Sequence, residues 1–135
     1  MRAATRATFI GVLLLSQASL ACISTNDSPP DDISGDWHGS YTDNTASHNT
    51  GTIDAMFTES GTALGGSLTL TWGCAVANSA SVSGTIDGDT FNATMVYGFT
   101  TVTITGTRSG ESVTGTFSIS GGICNGDTGS YTLSR

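Results

Sequence analysis

The chain has 135 residues, 37% of them hydrophobic and only 11% charged, with 11 acidic against 4 basic side chains and a formal net charge of −7. An acidic chain without lysine and without an arginine stripe repels a phosphate backbone, which excludes nucleic-acid binding. Its length suits one domain with a modest core.

In chain order, the first element reads as an export signal. Arg2 and Arg6 form a positive start, and the apolar run from Ala7 to Leu20 falls short of the roughly 20 residues that span a membrane. The run closes on Ser19-Leu20-Ala21, which places small residues at the −3 and −1 positions of a cleavage site and delimits a signal peptide over residues 1–21. Cys22 follows at once. The stretch resembles the bacterial lipobox, whose cysteine is acylated after cleavage, although Ser19 stands where the family places a large aliphatic residue. That resemblance implies a lipoprotein: a palmitate-type anchor on Cys22 and a location on a membrane of the cell envelope. Cleavage after Ala21 by an ordinary signal peptidase is the alternative, leaving a soluble secreted or periplasmic protein. Residues 22–32 are polar, acidic and contain both prolines of the chain, the composition of a flexible tether. With the signal removed, Arg108 and Arg135 are the only basic side chains against 11 acidic ones, a formal charge of −9.

From Ile33 to Arg135 no segment shows helical periodicity, whereas apolar residues recur at every second position. Ile33, Gly35, Trp37, Gly39 and Tyr41 alternate with polar residues that include His38. Equivalent runs centre on Ala55, Leu70, Gly84, Ala93, Ile104, Gly115 and Tyr131, with threonine, serine and asparagine on the opposite face. Eight strands are expected, each with one apolar and one hydroxyl-rich face. The segments Thr58–Ser67, Thr85–Thr94 and Thr107–Thr116 align without gaps around a Ser/Asp-Gly pair, the mark of three hairpin tips. Because successive strands reverse direction, the three tips share one end of the domain, the bottom. The longer connections at 43–50, 73–78 and 120–128, with a short turn near Gly98, lie at the top.

The expected fold is therefore all-β: an eight-stranded antiparallel up-and-down meander barrel, with a two-layer β-sandwich as the alternative. Closing the meander removes exposed edges, which favours the barrel. With Cys22 acylated, Cys74 and Cys124 remain as the one pair available for a disulfide, and both fall in top loops. Gly35-Asp36-Trp37 near the start of the first strand resembles the G-x-W of lipocalin- and avidin-like (calycin-type) barrels. The resemblance implies that the late arginine, Arg135, stacks on Trp37.

Few residues invite chemistry. His38 and His48 lack the third group that catalysis by a His–carboxylate pair needs. Asp87-Gly-Asp89 and Asn125-Gly-Asp127 suggest calcium, but counting an EF-hand from Asp87 puts Asn92 and Gly98 where glycine and an acid belong. Trp37, Tyr41, Trp72, Tyr97 and Phe99 line either a ligand cavity or an ordinary core. No catalytic set, metal site or cofactor site emerges, so an enzyme is the least expected outcome. The expected function is a non-catalytic cell-envelope lipoprotein displaying a small barrel for protein contact or surface structure. The alternatives are an inhibitor of an envelope or secreted hydrolase, such as a protease or lysozyme, and a carrier of a small apolar ligand. The barrel's interior separates them: a carrier needs a cavity of several hundred Å³, an inhibitor an apolar or acidic projection at one end.

Overall fold

The period-two alternation of the sequence is realised as eight strands whose apolar faces point into one closed barrel. The computed structural model describes residues 32–45, 50–71 and 79–135. Its strands are β1 (Gly35–Asp43), β2 (Thr50–Ser60), β3 (Ala63–Leu70), β4 (Ala80–Asp87), β5 (Thr90–Tyr97), β6 (Thr100–Ser109), β7 (Ser112–Ser120) and β8 (Thr128–Ser134), with one 3₁₀ turn at Gly122–Cys124. Every strand pairs with its neighbours in sequence, and β8 pairs back onto β1, so the sheet has no edge and the sandwich alternative is set aside.

Following paired residues around the barrel leads from Gly35 through Phe57, Gly66, Val82, Met95, Val102 and Ile119 to Asp127, whose strand meets β1 again at position 45. A ten-residue stagger on eight strands tilts them steeply to the barrel axis, within the usual range of about 35–45°. Inward aromatics fill the interior by lying over glycines of adjacent strands. Tyr41 covers Gly51, Phe117 covers Gly129, and Tyr131 covers Gly106 and Gly115. A side chain at any of these glycines would occupy the space of an aromatic ring.

Four hairpins turn through two residues of which the first is glycine at positive φ: Gly61, Gly88, Gly98 and Gly110. The turn is thus Gly-X, the type II′ arrangement, with the preceding serine, aspartate or tyrosine closing the strand. The Ser/Asp-Gly pairs of the repeats mark the right places but straddle the strand end and the turn.

The bottom is closed by residues 32–34 crossing beneath the barrel. Ile33 is fully buried; its N–H donates to Glu59 Oε2 at 2.9 Å and its carbonyl accepts from Trp37 Nε1 at 2.8 Å. The Arg135 guanidinium lies over the Trp37 ring, 4.7 Å from its centre, and donates to the Ser34 carbonyl at 3.0 Å. Arg108 donates to the Asp32 carbonyl at 3.0 Å and to Asp89 Oδ1 at 2.8 Å. Both arginines of the domain are spent on this strap.

Residues 1–31, with the export signal, Cys22 and nearly all of the tether, lie outside the described residues, as do His48, Trp72 and Cys74. Cys124 is buried in the 3₁₀ turn.

The strap supplies a direct test. Arg135→Ala, Trp37→Phe and the double variant, compared by urea unfolding, should show a coupling of about 0.5–2 kcal/mol for the stacked pair. Additive losses would mean that the stacking contributes nothing beyond the carbonyl hydrogen bonds.

Candidate functional site

The same alternation that buries Trp37 and Tyr41 continues one step further along β1 and turns Asp43 inward. On β8 the inward series Leu133, Tyr131, Gly129 extends back to Asp127, which immediately precedes the strand. Because Asp43 is the register partner of Gly129, the two carboxylates arrive side by side at the upper end of the β1–β8 seam. Asp43 is 6% exposed and Asp127 8% exposed, the two buried acidic residues among those described. The Asp43 carboxylate accepts the Thr45 N–H at 2.8 Å, and the Asp127 carboxyl hydrogen-bonds to Asp43. Burial pushes the Asp127 carboxyl above its ordinary value, and the neighbouring Asp43 charge and the hydrogen bond to it push in the same direction.

Below the pair lies a small apolar cavity, about 50 Å³, walled by residues such as Leu70, Val102, Ile104, Phe117 and Ile119, with Tyr41 and Asp43 contributing its polar edge. At roughly 10–15 Å³ per water, that is room for about four water-sized groups. Tyr131 donates its hydroxyl to the Thr105 carbonyl at 3.0 Å, and burial raises its phenol strongly. Tyr41 differs: its hydroxyl is buried without a hydrogen-bond partner, and its phenol is raised first by burial and then by Asp43. A buried hydroxyl left unpaired costs free energy, so this atom is one that a ligand would satisfy.

Of the aromatic residues singled out from the sequence, Tyr41 alone lines this cavity; Trp37 floors the barrel beneath it, and Trp72 lies outside the described residues. Tyr97 is not core. It has the inward parity of Phe91, Ala93 and Met95, but pairing between β4 and β5 stops at Val82–Met95, so the β5–β6 hairpin overhangs its neighbour and Tyr97 is exposed. At its tip Phe99 is 96% exposed, and Ile123, on the adjoining 3₁₀ turn, is 90% exposed. The backbone at Gly121 and Gly122 packs directly against Phe99 and Thr100, so these two projecting side chains share one braced platform.

On the outer wall, register places Ser134, His38 and Asp54 in a row across β8, β1 and β2. His38 Nδ1 meets Asp54 Oδ1 at 2.6 Å, but both side chains are more than half exposed. The row lies on a convex wall whose amides serve the strand ladders, so no donor is left to hold a developing oxyanion. The acidic turns that suggested calcium have other partners. Asp89 receives Arg108, and Asn125 Oδ1 accepts the Gly121 N–H at 2.9 Å.

The signal for the acid pair was present in the sequence: continuing Trp37, Gly39, Tyr41 by two residues reaches Asp43, and stepping back from Leu133 reaches Asp127. An aspartate with raised pKa in the folded state adds stability when protonated and loses it as pH rises through that pKa. Asp127→Asn keeps the shape and a donor toward Asp43, so it should raise Tm at pH 7. The gain should shrink as pH falls toward about 4. Parallel melts between these pH values decide, and a lower Tm at pH 7 would mean that the carboxylate itself is required.

Comparison with known proteins returns no matching family model and no significantly similar curated protein, so these residues are read on their own chemistry.

Proposed function

We propose that this chain is a non-catalytic, lipid-anchored protein of the cell envelope, held at its lower end and presenting its upper end to a protein partner. The carrying observation is the projection of Phe99 and Ile123 from adjacent braced loops, at the end of the barrel opposite the strap formed by residues 32–34. Neither side chain serves the core. Burying such a side chain in a partner is worth roughly 1.5–3 kcal/mol. With the export signal removed, the acidity of the chain favours a partner that is basic around an apolar recess.

Export, acylation of Cys22 and the 22–32 tether supply the attachment in this reading, and the G-x-W tryptophan stacked under a late arginine supports a lipocalin- or avidin-like relationship. The Cys74–Cys124 disulfide belongs to the same proposal, tying two top loops near the docking end. A cavity of about 50 Å³ weighs against carriage of a lipid-sized ligand, for which pockets run to several hundred Å³. The second reading, inhibition of an envelope or secreted hydrolase, is favoured by the same projecting pair, since an exposed apolar wedge suits an enzyme's cleft.

Two measurements test this. A photo-crosslinking residue at Phe99 should give a discrete protein adduct in cells, whereas one at Thr105 on the hydroxyl wall should not; no adduct at Phe99, or equal adducts at both, overturns the docking reading. Cys22→Ser should move the protein from the membrane to the soluble fraction, and the unreduced wild-type chain should titrate no free thiol. A soluble wild type removes the anchor, and two free thiols remove the disulfide.

A further inference from the structure

Two independent features of the barrel interior point to an occupant. The first is the cavity of about 50 Å³, whose walls are aliphatic and aromatic except at the edge formed by Tyr41 and Asp43. A water held in such a space needs two to four polar partners. Leu70, Val102, Ile104 and Ile119 offer none, so most of the cavity favours carbon over water. Leu70, Phe117 and Ile119 are only partly buried, so this part of the interior is reached from outside.

The second feature is the Tyr41 hydroxyl. Tyr41 is 6% exposed, and among the described residues its hydroxyl has no hydrogen-bond partner. Its ring lies over Gly51, and Phe117 meets it edge-on with 6.0 Å between ring centres. Tyr131, the other tyrosine lining the cavity, reaches the Thr105 carbonyl at 3.0 Å. The deficit therefore belongs to Tyr41 alone of the two. A hydroxyl in this position can donate one bond and accept others.

Size and polarity narrow the occupant. Taking one water-sized group per carbon, the cavity has room for about four carbons, too few for a lipid chain. An ion drawn between these walls would give up its hydration without an opposite charge along the shaft. A carboxylate would in addition face the Asp43 carboxyl.

We propose that the upper half of the barrel binds a short neutral molecule of about four carbons bearing one oxygen, its carbons in the apolar cavity and its oxygen on the Tyr41 hydroxyl. A short alcohol and a short carbonyl compound share this chemistry. The site stands on interior residues and does not rest on the docking role of Phe99 and Ile123.

Methyl NMR titration of the purified protein at neutral pH tests this with 1-butanol, 2-butanone, 1-chlorobutane and butyrate. The oxygenated ligand should shift the methyl signals of Leu70, Val102, Ile104 and Ile119. Ile86 and Val113 beside the lower hairpins, and Ile123 on the outer tip, should not move. Binding should be about two- to tenfold tighter than that of 1-chlorobutane, the factor of one hydrogen bond, and butyrate should not bind. Tyr41→Phe should erase that preference while 1-chlorobutane binds as before. Because the hydroxyl removed has no partner in the fold, the Tm of this variant should not fall. Binding of 1-butanol alone narrows the class to alcohols, and binding of 2-butanone alone to carbonyl compounds. Shifts confined to Ile123, a preference that survives Tyr41→Phe, or a lower Tm in that variant overturns the proposal. So does the absence of shifts with either oxygenated ligand up to about 100 mM, the weakest affinity expected for five non-hydrogen atoms.

Discussion

Closure of β8 against β1 decides nearly everything else in this molecule. The two strands approach closely at Gly39, where a side chain would run into the backbone at Thr132, so the seam forms only because that position is bare. Six residue pairs from His38–Ser134 to Asp43–Gly129 then fix how far β8 rises along β1. The lower end of that register brings Arg135 under Trp37; the upper end brings Asp127 beside Asp43. One strand pairing therefore builds the floor of the barrel and the acidic pair at its mouth. A slip of two residues would preserve the apolar face while dismantling both.

The two arginines and the two buried carboxyls sit at opposite ends of the barrel. The guanidinium groups sit at the bottom among backbone carbonyls and Asp89, where hydrogen bonds rather than solvent satisfy them. Among the described contacts of the two buried carboxyls at the top are the Thr45 amide on Asp43 and the contact of Asp127 with Asp43. Burial of like charges is expensive, and both arginines described in the domain stand at the end of the barrel opposite this pair. Between the two ends the outer wall of β5 to β8 carries rows of threonine and serine, with Thr105 and Thr116 hydroxyls 3.0 Å apart, and little charge.

How much of this was legible beforehand follows from which forces are local. Period-two alternation and glycine-centred hairpins are short-range properties, and they led directly to eight strands, their directions and the sharing of ends by the loops. The contact between Trp37 and Arg135, nearly a hundred residues apart, was reachable only through resemblance and closure. Asp43 and Asp127 escaped because acidic residues near loops read as solvated, although parity alone turned them inward. Tyr97 failed for the opposite reason: its parity was right, but pairing with β4 ends before it, and a strand that overhangs its neighbour has no interior to face. Phe99 and Ile123 gave no periodic signal, since turn residues obey none.

The arginine strap also governs how the protein meets proteases. An enzyme that cuts after basic residues finds, beyond residue 31, only Arg108 and Arg135. Arg108 lies within β6, its amide bonded to the Asp89 carbonyl and its side chain only 10% exposed. To enter such an enzyme's cleft the segment must leave the sheet, and in a barrel without edges no single strand peels away alone. Cleavage there must await cooperative opening of the whole wall, so trypsin sensitivity would read out global unfolding rather than local fraying.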